Sequence, residues 1–350
     1  MKSLAVTKDY NLEVVELPEP VIADDCVLLK TLSCGVCNGT DYKIWKGTFK
    51  GLDAYPCLLG HEAIGEVVEV GKNVVQWKKG DIITLPYLEM DKDGMYHGYY
   101  SAWCAYSEYT VARDWMAMAA MGHGPGTPGF WDGYHTQKIL PAGIDPVYGA
   151  MVNTLREVLA ACKNFGFQTG QTIAVFGAGP VGLTFIRFMK LLGVKTVVSV
   201  DIVEEKRAEA LDAGADIFFN SKEADLVSEV KALFPEGVDF VLDAVGVNEL
   251  INTALKLIKD SGQVCVYGIS SKLDMNIDWS ASPYNWNVKF LQFPVKKQEA
   301  DAHDQIINWV KSGVIDLEDH VSHVIPFENI LDAFDMVEKK VPLKKIVIKY

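Results

Sequence analysis

The chain has 350 residues, 49% of them hydrophobic, and a formal net charge of −13. That length supports two domains with separate cores, and the acidic balance argues against phosphate-backbone binding, so neither nucleic acid nor an anionic membrane surface is expected as a partner. No apolar run approaches membrane-spanning length, and the N-terminus enters a strand-like pattern with no signal h-region, which makes a cytoplasmic location the expectation. Seven cysteines (Cys26, Cys34, Cys37, Cys57, Cys104, Cys162 and Cys265) form an odd, uneven set rather than a disulfide framework.

In chain order, β-branched runs broken by Gly, Pro, Asp and Asn predict strands at Ser3–Thr7, Leu12–Leu17, Cys26–Ser33, Glu62–Val70, Asp81–Pro86 and Ser107–Val111. Between Val111 and Lys138 comes a Gly- and Pro-rich stretch with Trp115, Phe130, Trp131 and Tyr134. A connection of that length is expected to be a lid, with Trp131 or Tyr134 over a substrate, a subunit contact, or a tolerated surface insertion. Val147–Phe165 reads as a helix. Strands and helices then alternate at 172–176, 181–192, 196–200, 204–213, Val238–Asp243, Asn248–Ile258 and Gln263–Tyr267, which predicts an α/β fold with a doubly wound parallel sheet. Past residue 288 the alternation stops; Asp304–Lys311 and Ile330–Val337 read as helices and Lys345–Lys349 as a closing strand. The expected domains are 1–150 with 288–350, and 151–287.

The turn between the strand at 172–176 and its helix is Gly177-Ala178-Gly179-Pro180-Val181-Gly182, and the next strand closes on Asp201. Gly177 suits a turn with positive φ, Gly179 lets a pyrophosphate approach the backbone, and Gly182 lets the helix pack on the strand. Asp201 can accept hydrogen bonds from ribose hydroxyls and repels a 2′-phosphate, which favours NAD over NADP.

In the first domain, Cys37, His61 and Glu62 offer sulfur, imidazole and carboxylate, a donor set that suits Zn²⁺ and leaves a position for substrate. Taken alone, Cys34 and Cys37 are equally half of a zinc knuckle or a redox pair, and His61 a structural histidine. Neighbouring residues of a regular strand point to opposite faces, so His61 and Glu62 share one ion only if the turn at Gly60 distorts the chain.

With the nucleotide fold placed second, Gly35-Val36-Cys37-Asn38-Gly39-Thr40-Asp41, Leu59-Gly60-His61-Glu62 followed by Gly65, Val70-Gly71 and Gly80-Asp81, the chain resembles the zinc-dependent medium-chain alcohol and polyol dehydrogenases of sorbitol and threonine dehydrogenase type. The resemblance spans nearly the whole length. It implies a GroES-like β-rich catalytic domain joined to a Rossmann domain, and transfer of a hydride from a secondary hydroxyl of a polyol, sugar, cyclitol or amino alcohol to NAD. It further implies Cys37 and His61 as zinc ligands, Glu62 as ligand or neighbour of the metal, Thr40 as the hydroxyl that carries the substrate proton away, and Asp41 as the acid that orients the ligand histidine. Lys206 stands where polyol-type members carry a basic residue near the ribose. Val245, Gly246 and Ile269 match loops facing the nicotinamide ribose, or are plain strand-end turns. A homodimer or homotetramer is implied as well.

Four features depart from the family pattern. Asn38 and Gly39 put an extra residue between Cys37 and Thr40, which Gly39 is expected to absorb. Asn153, a poor zinc ligand, occupies a third ligand position, so water or Glu62 is expected to complete the shell. Lys43 replaces a proton-relay histidine. Pro86–Cys104 holds a single cysteine, so one catalytic zinc and no structural zinc are expected. Lys43, Lys296 and Lys297 are either contacts for an anionic substrate group or surface charges. The competing readings are a zinc-free NADPH enone or quinone reductase and a non-catalytic nucleotide-binding protein.

Overall fold

In the computed structural model, which describes residues 1–341 and 344–350, one domain comprises Met1–Arg156 with Val295–Tyr350 and the other Glu157–Pro294. The second contains a six-stranded parallel sheet whose strands, numbered along the chain within it, lie in the order 3-2-1-4-5-6, the dinucleotide-binding arrangement. Parallel neighbours need crossovers, and helices such as Pro180–Leu191 and Leu226–Leu233 supply them. Its first strand, Thr172–Phe176, carries the fully buried Ile173, Ala174 and Val175, as expected where a sheet is covered by helices.

Two strands of this sheet, Ile217–Asn220 and Trp286–Phe290, have no counterpart in the sequence reading. They are short or polar enough to lack a clear apolar period. Trp286–Phe290 is the last strand of the sheet, so the domain runs to Pro294 rather than to 287. The fifth strand occupies Ile258–Val266 rather than Gln263–Tyr267 and starts at the residue expected to end a helix, which stops at Leu255 instead.

The first domain is β-rich. Cys26–Gly35 is its central strand, flanked by Ala63–Val70 and Lys345–Lys349 and also paired to Tyr109–Arg113. A second sheet carries Lys2–Val6 between Leu12–Glu16 and Cys57–Leu58. Leu4, Val6, Val36, Ile44, Leu59, Tyr106 and Phe334 meet in one apolar core, each large side chain stabilising the fold by roughly 1.5–3 kcal/mol. The helix Lys296–Lys311 begins well before the expected Asp304.

The long insertion is ordered by its aromatics. Asp114 caps the helix Trp115–Ala120 by accepting from the Met116 and Ala117 amides. Trp131 and Tyr134 pack on each other and on Tyr87, and Phe130 packs on Tyr134 and His135. The Trp103 ring lies against His61, with centroids 5.2 Å apart. No helix among the described residues is long and apolar enough to cross a membrane.

Candidate active site

The central strand delivers the metal-binding residues. At its end the Gly35 amide donates to the Glu62 carbonyl (3.2 Å) and the Val36 amide to the Ile346 carbonyl (2.9 Å), which fixes Cys37 beside Glu62 and the start of the closing strand. Gly60 has φ +104°, and a Cβ there would lie 2.4 Å from the Tyr106 amide nitrogen. Only glycine fits, and the turn takes His61 and Glu62 out of strand alternation. Ligand atoms of Cys37, His61 and Glu62 then all lie within 4.8 Å of one another. Among the described residues this is the one such group of three His, Cys, Asp or Glu donors.

The donor chemistry fits zinc. Tetrahedral coordination at ordinary Zn–S and Zn–N lengths places ligand atoms roughly 3.3–3.8 Å apart, a small contraction of what is seen. Burial alone would raise the Cys37 thiol, yet Lys345 and His61 bring it below its ordinary value, toward the thiolate a metal requires. Asp41 is fully buried; burial opposes its charge, but His61, the Tyr106 hydroxyl and the Cys37 amide hold its carboxyl below the usual range. Burial likewise opposes a proton on His61, and Asp41 outweighs it, lifting the imidazole well above its ordinary value. His61 Nδ1 faces Asp41 Oδ1 at 3.3 Å while Nε2 lies 3.9 Å from Glu62 Oε1. One ring nitrogen is thus oriented by an acid and the other is turned to the metal-binding group. Asp41 Oδ2 also accepts from the Cys37 amide (3.0 Å), and the Tyr106 hydroxyl shares its proton between that oxygen (2.7 Å) and the Gly35 carbonyl (2.9 Å). Thr40 is buried, and its amide donates to Cys37 Sγ at 3.4 Å. Cys34 stays in the core as a free thiol, raised by burial, and all the cysteines are free.

In the second domain Gly177 has φ +98°, and a Cβ on Gly182 would meet the Gly177 carbonyl oxygen at 1.9 Å. Around Gly179 nothing lies within 4 Å of such a Cβ. No side chain caps the helix that begins at Pro180, so the amides of Val181 and Gly182 remain for an anion. Asp201 Oδ2 accepts from the Ala178 amide (2.7 Å) and from Lys206 Nζ (3.1 Å), which ties the end of the second strand to the glycine turn. Asp243, raised by burial, accepts from the Val245 and Gly246 amides (2.9 and 3.1 Å). It holds the loop in which Gly246, at φ +82°, packs against Gly268 and Ile269.

Comparison with known proteins agrees with both halves. Residues 23–128 match the alcohol dehydrogenase GroES-like domain family, and residues 180–302 the zinc-binding dehydrogenase family. The chain belongs to the zinc-dependent medium-chain alcohol and polyol dehydrogenases. It is 24% identical over 355 residues to sorbitol dehydrogenase of Bombyx mori, covering 96% of this chain and 95% of that one. It is 25% identical over 358 residues to D-arabitol-phosphate dehydrogenase of Enterococcus avium, covering 96% and 94%. The solved 2R,3R-butanediol dehydrogenase from Bacillus subtilis shares the fold, with TM-score 0.80 and 21% identity over 100% of this chain and 99% of that one.

Against the family's pattern this dehydrogenase differs in ways the geometry explains. Gly39 has φ −84° and ψ −64°, an ordinary helical conformation, with open space where a Cβ would lie. Asn38 and Gly39 lie in the turn just before the helix Thr40–Trp45, and that turn does not draw on glycine's conformational freedom. Asn153 is committed elsewhere: Nδ2 donates to the Ala63 carbonyl (3.0 Å) and Oδ1 accepts from Arg156 Nη2 (2.9 Å). Lys345 escaped the sequence reading. Its ammonium donates to both Glu62 oxygens (2.6 and 2.7 Å), both side chains are almost fully buried, and Glu62 lifts the lysine above its ordinary value against the pull of burial. The signal was present as a lysine followed directly by the apolar run Ile346-Val347-Ile348 of a closing strand, a place where a buried cation requires a partner.

Proposed function

We propose that the chain oxidises a secondary hydroxyl of a polyol, sugar or related alcohol with NAD, using one zinc ion held by Cys37, His61 and Glu62. The convergence of a lowered thiol, an acid-oriented imidazole and a carboxylate within 4.8 Å carries the reading. Sorbitol dehydrogenase and D-arabitol-phosphate dehydrogenase, similar along nearly their whole lengths, support a polyol as substrate. When bound, zinc supplies the Lewis acidity that makes a hydroxyl proton easy to lose, and the nicotinamide accepts the hydride.

The protein's own residues do the rest. Asp41 fixes the orientation of His61, and Tyr106 in turn holds Asp41. Lys345 neutralises Glu62, so that carboxylate can sit beside a thiolate in a buried site and move onto or off a metal without leaving an uncompensated charge. Thr40, whose backbone amide donates to the Cys37 sulfur, is the residue to which this reading gives the hydroxyl that takes the substrate proton. With Asn153 engaged by Ala63 and Arg156, the position beyond Cys37, His61 and Glu62 is left to water or the substrate hydroxyl. In the other domain, Asp201 favours NAD by facing the ribose with a carboxylate, while Lys206 beside it moderates the preference.

The exposed Phe290 on the last strand of the parallel sheet, with the exposed Leu273, Trp279 and Tyr284 before it, supports a homodimer formed at this edge. A cytoplasmic location accords with the free cysteines. The direct test is elemental analysis joined to an NADH absorbance screen over a panel of polyols. Turnover that disappears with chelation and returns with added zinc is expected; turnover indifferent to zinc removal contradicts the assignment.

A further inference from the structure

Of the three lysines that the sequence offers for anion recognition, two are ion-paired on the helix Lys296–Lys311. Lys296 Nζ lies 2.8 Å from Glu299 Oε1, and Lys297 is paired with Asp301. The third, Lys43, is different. Its stem is half-buried, and among the described residues no carboxylate lies within ion-pair distance of its ammonium. By contrast Lys46, one turn on, pairs with Glu338 at 2.6 Å, and the buried Lys345 pairs with Glu62. In a chain of net charge −13, a partly desolvated cation left without a counter-ion is uphill.

Lys43 also sits where a substrate must come. It is three residues beyond Thr40 on the helix Thr40–Trp45, so the two side chains are neighbours on one face, and Thr40 lies against Cys37. Burial pulls the lysine below its ordinary value, while the Cys37 sulfur, near enough for its charge to be felt, pulls it back up. An apolar wall stands by the same cluster. The Trp103 ring is 5.2 Å from His61 and 6.3 Å from Phe49, and Trp103 and Cys104 both hold φ +67°, a left-handed conformation that non-glycine residues keep only when their surroundings enforce it. Metal donors, an apolar wall and an unpaired ammonium fit a carbon chain with a hydroxyl at one point and a negative group farther along.

We propose that Lys43 selects alcohols bearing an anionic group, a phosphate or a carboxylate, by pairing with that group while the reacting hydroxyl lies at the Cys37–His61–Glu62 cluster. The proposal rests on the zinc dehydrogenase reading and narrows its substrate class. A flexible ammonium acts as a point charge and accepts either anion.

The test compares kcat/KM of the zinc-loaded enzyme for sorbitol 6-phosphate, gluconate and sorbitol, in the wild type, Lys43→Met and Lys43→Arg. A wild-type preference for one of the two anionic compounds is expected, and which one identifies the group. In Lys43→Met the anionic-to-neutral ratio should fall about 30-fold, as befits one charge-assisted hydrogen bond, mainly through KM, with Lys43→Arg restoring most of it and zinc content unchanged. No preference for either anion in the wild type, or an equal loss on sorbitol and the anionic compound in Lys43→Met, overturns the proposal. Calorimetric binding of sorbitol 6-phosphate and gluconate, with zinc and NADH present, makes the same comparison without turnover; affinities equal in wild type and Lys43→Met overturn it there too. Absence of bound zinc together with absence of turnover on every alcohol contradicts the dehydrogenase reading instead.

Discussion

At Gly177–Gly182 the site is made of backbone, in a domain whose main core cluster is apolar, built from residues such as Ala174, Val198, Val241 and Val264. At Cys37, His61 and Glu62 it is made of side chains, in a domain that buries Asp41, Glu62, Arg156, His303 and Lys345. A backbone site is set by local conformation. Gly177 and Gly182 shape it through one positive φ and one close approach, both within the turn itself, with Asp201 holding it from the next strand. A side-chain site depends on charges brought from distant segments, each of which must be compensated after burial. The second kind is the more fragile, and its supporting residues are the harder to read.

The largest expected effect tests that fragility. Lys345→Met leaves the Glu62 carboxylate buried without its partner, and the metal-free protein should lose about 3–5 kcal/mol in urea unfolding. Adding Glu62→Gln should recover much of the loss, since a neutral amide needs no counter-ion. A single variant as stable as the wild type would mean that the pair does not carry the burial assigned to it.

A somewhat smaller effect concerns acid. Burial and the Arg156 guanidinium depress His303 to about 4. The unfolded chain takes up this proton at about pH 6.5, so the contribution is fully present above that pH and is lost as pH falls toward 4, by roughly 3 kcal/mol. Urea midpoints of wild type and His303→Gln should therefore draw together between pH 7 and 4.5. Parallel midpoints across that range would remove His303 as a source of acid sensitivity.

The nucleotide domain should answer more gently. Asp201→Asn keeps a side-chain oxygen for the Ala178, Ile202 and Val203 amides but removes the charge that pairs with Lys206 at 3.1 Å and opposes a 2′-phosphate, so the NAD-to-NADP preference in kcat/KM should shrink about tenfold. A preference that does not move would break the assignment of Asp201 to the ribose.

The same contrast governs what could be read in advance. The parallel sheet, the glycine turn, the central strand near Cys26–Ser33 and the closing strand Lys345–Lys349 follow from local periodicity and turn chemistry. Cys37, His61 and Glu62 were visible as a donor set, and the need for distortion at Gly60 followed from strand geometry. Their supports were not visible. Lys345 lies 283 residues from Glu62, and Tyr106 lies 65 from Asp41; no local pattern marks such pairs. Gly39 shows the opposite error, a residue credited with a freedom it does not use. Trp286–Phe290 was missed because an exposed, mixed edge strand lacks the apolar run that marks its buried neighbours.

The central claim is that the three converging side chains hold one zinc ion on which turnover depends. Zinc content per chain, measured by elemental analysis beside NAD-linked polyol oxidation in wild type and Cys37→Ala, tests it most directly. One zinc per chain in the wild type is predicted, with zinc and turnover lost together in Cys37→Ala while its circular dichroism stays that of the folded protein. A Cys37→Ala protein that keeps its turnover without zinc would contradict the account.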